Sequence, residues 1–98
     1  TIGINMDITQ KHFYIHGRVQ GVNFRHMTRE RANELGLVGF VRNTSGGSVE
    51  MLVQGSQHAI DELVQWLDSS PGHAEVSEIE ELKGDDNTMT FNDFSILY

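Results

Sequence analysis

Cysteine is absent from the 98 residues, and proline occurs once, at Pro71. Without cysteine there is no disulfide framework, no thiolate metal site and no cysteine nucleophile. No apolar run approaches the ~20 residues needed to cross a bilayer. Nor does a basic-then-apolar leader precede a small-residue cleavage site. These absences direct the expectation to a cytoplasmic single domain, long enough to bury one core between a sheet and a few helices. Residues 1–8 are expected to form a flexible N-terminal leader or an expression remnant, with Met6 a candidate native start, and the domain is expected over 9–98.

Basic residues are also scarce, seven against fourteen acidic ones, for a net charge of −7. That balance argues against a nucleic-acid coat, but it is unevenly spread. Through Asn43 the chain is net +3, and from Thr44 onward it is net −10, with Lys83 the lone cation there. A basic half can hold a local anion site while the acidic half keeps the molecule soluble. On charge alone, a merely solvated surface is the simpler reading.

Periodicity orders the elements. Lys11 to Gly17 alternates, with Phe13 and Ile15 on one side and His12, Tyr14 and His16 on the other, as in a half-buried strand. From Asn23 to Leu35 the period becomes helical, with Asn23 placed as N-cap and Gly36 just past the end. Leu37 to Asn43 reads as a second strand, Ser45-Gly46-Gly47-Ser48 as a turn, and Val49, Met51 and Val53 as the returning strand of a hairpin. Ser56 caps a second helix, in which Ile60, Leu63, Val64 and Leu67 follow the i, i+3, i+4, i+7 spacing. Ser69 to Gly72 ends it. Val76 to Leu82 and Phe94 to Tyr98 read as strands, separated by a loop over Gly84 to Asn92. The result is an α+β chain, β-α-β-β-α-β with a short extra C-terminal strand, expected to form an antiparallel sheet with two helices on one face.

The stretch H-G-R-V-Q-G-V-N-F-R, His16 to Arg25, sits between the first strand and the first helix. It is no Walker A loop, because its glycines are too close together and no lysine follows. It is no dinucleotide fingerprint either, since G-x-G-x-x-G is missing. Two readings remain. A glycine-bounded loop at a helix N-terminus can aim several backbone N–H groups into one concavity, with the planar fork of Arg25 beside them, and so cradle a phosphate. Alternatively, the glycines serve a tight turn and Arg25 is solvated. Arg42-Asn43 ends the second strand before the hairpin turn and could approach the same spot.

Taken together, H-G-R-V-Q-G-V-N-F-R, A-N-E-L-G-L-V-G-F-V-R-N, G-G-S-V-E and the terminal F-S-I-L-Y closely resemble the acylphosphatase family, from about His12 through Tyr98. The resemblance implies a ferredoxin-like sandwich and hydrolysis of acyl phosphates to a carboxylate and inorganic phosphate. It implies that Arg25 binds the substrate phosphate and that Asn43 orients the attacking water. The backbone amides of Arg18, Val19, Gln20, Gly21 and Val22 are implied to hold the phosphate oxygens. No metal and no cofactor are implied, and the expected partners are the acyl phosphate and its phosphate product, with no nucleic acid and no membrane, in a monomer. Phe40, where the family often has tryptophan, Gly46-Gly47 and Leu97 depart from the usual pattern without touching Arg25 or Asn43.

Rival readings are weaker. Of the five histidines, His12 and His16 are four apart on a strand, which separates them along one face, and His26, His58 and His73 have no acidic partner at a recognised ligand spacing, with cysteine absent. Phe13 and Tyr14 invite an RNA-binding sheet, but Ser48 to Gln54 carries no aromatic residue and holds Glu50. Trp66 reads as packing, and Glu75, Glu78, Glu80 and Glu81 as a solvated strand face. The main alternative is an acylphosphatase-like module of the kind found at the front of larger carbamoyl-transfer maturation enzymes.

Overall fold

The computed structural model describes residues 8–83 and 91–98. The expectations for Thr1 to Ile4, for Met6 and for most of the Gly84 to Asn92 loop lie outside the described residues. Among the described residues seven elements follow one another: β1 (Thr9–Arg18), α1 (Phe24–Glu34), β2 (Val38–Asn43), β3 (Val49–Gly55), α2 (Gln57–Asp68), β4 (Glu75–Leu82) and β5 (Phe94–Leu97). The sheet order is β4-β1-β3-β2-β5. Its first four strands pair antiparallel, as expected, and β5 adds beside β2 in parallel. The sheet is therefore mixed. Direction explains it, since β4 runs opposite to β2 and delivers the chain to the end of the sheet where β2 begins. A strand returning along that far edge must run with β2.

Alternation decides the two faces. Phe13 and Ile15 of β1 lie opposite Met51 and Val49 of β3, and Val41 of β2 also faces Met51. Together with Val53 these residues are buried against Phe24, Thr28 and Ala32 of α1 and Ala59, Ile60, Leu63 and Leu67 of α2. Each large apolar side chain buried in this way contributes about 1.5–3 kcal/mol of transfer free energy. Helix α1 packs on β2 and β5, and α2 on β3 and β4.

The helix ends show which cap signals worked. Ser56 accepts from the Ala59 amide at 3.1 Å and caps α2. At the end of α1, the amides of Gly36 and Leu37 return to the carbonyls of Asn33 and Ala32 in a Schellman pattern. Asn23 behaves differently from the expectation. It holds the cap position in the left-handed conformation, at φ +64°, and makes no side-chain cap hydrogen bond. Its role is backbone geometry, the turn into the helix, for which Asn is among the few non-glycine residues suited.

The sheet adds one unexpected burial and corrects one expectation. Strand β3 is buried on both sides, including Glu50 and Gln54, because as the central strand it is flanked by long side chains from β1 and β2. The acidic run of β4 does not form one solvated face. Glu80 pairs with His16 on the open side, whereas Glu81 pairs with Lys11 on the side that carries Ile79 and the helices.

Candidate active site

Gly17 ends the regular part of β1. The register with β4 shifts between His16 and Gly17, leaving Ser77 as an extra residue opposite. Gly17 adopts φ +123°, and a Cβ there would lie 2.0 Å from the Glu75 carbonyl oxygen, so only glycine lets the two backbones meet. Gly21, at φ +77°, has open space around it and is needed for conformation alone. Between them, Val19 is inserted into the core at 1% exposure, which pins the middle of the loop.

Arg25 follows in the first turn of α1. Its guanidinium donates to the Leu97 carbonyl at 3.4 Å and stands 4.9 Å from the centroid of the Tyr98 ring. The loop, the start of α1 and the end of β5 enclose an open pocket of about 300 Å³, lined by Val19, Gly21, Asn23, Arg25, His26 and Tyr98 among others. Arg18 lies outside that lining, paired in register with Glu75 at the strand end. Val22 packs against the core.

Asn43 is the last residue of β2, opposite Val49. It shares the parity of Val41 and so belongs to the helix-bearing side, whereas Arg42 belongs to the other. Since Arg42 is level with Leu97, Asn43 lies at the end of the sheet where β5 finishes, without being among the residues that line the pocket. The two sequence motifs are joined directly by Gln20, whose side-chain amide donates to the carbonyls of Thr44 at 2.9 Å and Ser48 at 2.7 Å. The side chain of Gln20 is thus committed to the hairpin.

His26 borders the pocket without being free. Its Nε2 lies 3.3 Å from Glu30 and its Nδ1 lies 3.1 Å from Arg29. An arginine can only donate, so the Arg29 contact uses Nδ1 as the acceptor. Among the described residues, no three histidine or carboxylate side chains gather as a metal-binding group, and no helix is long and apolar enough to span a membrane.

Arg42 departs furthest from the site. Its Nε donates to Glu50, and Glu50 also accepts from His12 at 2.7 Å. Burial raises the Glu50 carboxyl pKa, but the hydrogen bonds and charges of Arg42 and His12 outweigh it and hold the carboxyl below its ordinary value. This cluster lies on the opposite face of the sheet and serves the fold.

Residues 11–96 match the family model described as Acylphosphatase. The chain belongs to the acylphosphatase family. It is 40% identical to an acylphosphatase of Roseiflexus sp. (strain RS-1) over 93 residues, covering 95% of this chain and 99% of that one. The solved acylphosphatase of Bacillus subtilis superposes with a TM-score of 0.85 at 29% identity, covering 94% of this chain and 100% of that one. T. kodakarensis HypF gives a TM-score of 0.77 at 27% identity over 90% of this chain, but only 12% of its own length is covered. The same module thus occurs both alone and within a larger protein.

Sequence reasoning missed two parts of this candidate site. The C-terminal F-S-I-L-Y was read as a strand and as part of the family resemblance but given no place at the site, yet Leu97 and Tyr98 contact Arg25. Gln20 was read for its backbone amide, while its side chain ties the loop to the hairpin. The exposed aromatic residue past the last strand was an available signal for the first. For the second there was none, because the contact depends on the fold.

Proposed function

We propose that this chain hydrolyses the carboxyl–phosphate bond of acyl phosphates, giving a carboxylate and inorganic phosphate. The observation that carries the reading is the convergence of Arg25, the glycine-bounded loop and the N-terminus of α1 on one open pocket. The guanidinium and the loop amides of Arg18 to Val22 stabilise the phosphoryl oxygens, as fixed dipoles and charge do for a loose phosphoryl transition state. Asn43 holds a water through its side-chain carbonyl. The water oxygen bonds to phosphorus as the bond from phosphorus to the acyl oxygen breaks, and the electron pair leaves on the carboxylate.

Little else is needed. The leaving carboxylate has a conjugate acid of pKa about 4–5, so it departs unprotonated near neutral pH and requires no general acid. The water proton passes to an oxygen of the phosphoryl group itself: His16 of the loop motif is paired with Glu80 on the open side of the sheet, and His26 at the pocket border is engaged by Glu30 and Arg29. Positioning and charge then supply the catalysis, and no metal is assigned a role.

The test is hydrolysis of a simple aromatic acyl phosphate in ¹⁸O-labelled water with a chelator present. Phosphate release with the label in phosphate supports attack at phosphorus without a metal. Label in the carboxylate, or activity that the chelator abolishes, contradicts it. A pH–rate profile that reveals an essential enzyme base removes the substrate-assisted proton route.

A further inference from the structure

The side-chain amide of Gln20 carries two N–H donors and spends both on the hairpin. One goes to the Thr44 carbonyl at 2.9 Å and the other to the Ser48 carbonyl at 2.7 Å. Both acceptors are carbonyl oxygens, so the orientation of the amide is settled by chemistry. These carbonyls belong to the pair that closes the β2–β3 turn, where the Thr44 amide also donates to the Ser48 carbonyl at 2.9 Å. Thr44 directly follows Asn43. Gln20 itself is the middle of the loop that contributes Val19 and Gly21 to the pocket lining, and its neighbour Val19 is fixed in the core.

We propose that Gln20 is a positioning residue that sets Asn43, and so the attacking water, at its working distance from the phosphate cradle. The inference rests on the water-holding role proposed above for Asn43. The loop and the hairpin are separate stretches of backbone, each with its own freedom to shift. A single side chain with both donors committed removes the relative motion between them. Displacing a reacting group by 1 Å can cost about a hundredfold in rate, whereas phosphate affinity depends on Arg25 and the amides, which the loop carries with it. Losing the brace therefore affects turnover more than binding.

Gln20→Met keeps the side-chain length and removes both donors. Its expected effect is a fall in kcat of about tenfold or more, bounded by the roughly hundredfold positional cost, with inhibition by inorganic phosphate changed less than about threefold. In the Asn43→Ala background the same substitution should cost almost nothing further, because two residues acting as one unit are non-additive. Unchanged kcat with only a lowered melting temperature would make Gln20 a purely structural brace and overturn the proposal. So would full additivity with Asn43→Ala, or a loss confined to phosphate affinity. If Gln20→Met does not fold, Gln20→Glu answers the same question. Its carboxylate cannot donate, but the neutral acid has one O–H, so kcat relative to the parent should climb as the carboxyl protonates, and a flat ratio overturns the proposal. Failure of the underlying reading looks different, since the parent would then release no phosphate or Asn43→Ala would turn over like the parent.

Discussion

Gly17 and Gly21 both bound the loop and both have positive φ, yet they should respond very differently to alanine. At Gly21 the added methyl meets nothing within 4 Å, so the cost is the left-handed backbone alone, about 1–2 kcal/mol. For a domain of this size, that lowers the melting midpoint by about 4–16 °C. At Gly17 the methyl would lie 2.0 Å from the Glu75 carbonyl oxygen and 2.8 Å from the Ser77 amide nitrogen. Both are backbone atoms of β4, so no rotamer change relieves the contact. The conformational strain of about 1–3 kcal/mol is then joined by displacement of the β4 bulge, for a total beyond about 3 kcal/mol. The midpoint should fall by at least about 12 °C. Thermal unfolding of Gly17→Ala and Gly21→Ala, followed by circular dichroism beside the parent, makes the comparison. Equal losses at the two positions, or a larger loss at Gly21, would refute the argument that close strand approach, and not φ, dominates at Gly17.

Acid should weaken the fold through Glu50. Its carboxyl is held below the ordinary 4.5 by Arg42 and His12, so its contribution is complete above that value and disappears as pH falls through the lower folded-state value. Urea midpoints measured between about pH 6 and about pH 3 should decline less steeply in Glu50→Gln than in the parent, and parallel declines would contradict this. Tyr98→Ala removes the ring stacked on Arg25, a contact worth about 0.5–1 kcal/mol when exposed. Phosphate should then inhibit about two- to fivefold less well, and an unchanged inhibition constant would separate Tyr98 from the site.

Much of the fold was legible because local rules and tertiary packing agree. The helical stripe of Ile60, Leu63 and Leu67 faces the core, and the alternation of Phe13 and Ile15 assigns the inner face of β1. The readings that failed lie where neighbours override local preference. Asn23 resembles a cap because its side chain is short and polar, but the turn uses its tolerance of positive φ instead. Glu50 carried no expectation of burial, and it is buried because Arg42 and His12 on the adjacent strands hydrogen-bond it. At the site, the glycines and Arg25 stood out as a motif, whereas Gln20 and Tyr98 acquire their contacts only when strands distant in sequence come together. A parallel β5 likewise follows from where β4 delivers the chain, which no window of sequence contains.

The central claim is that Arg25 and Asn43 divide the work, the first gripping the phosphoryl group and the second placing the water. It is tested most directly by phosphate release from an aromatic acyl phosphate, with chelator, by the parent, Arg25→Ala and Asn43→Ala, each shown to be folded. The account predicts turnover by the parent and a loss of at least about a hundredfold in Arg25→Ala. Asn43→Ala should show a collapse of kcat with phosphate inhibition largely retained. Full turnover by folded Asn43→Ala, or by folded Arg25→Ala, would contradict it.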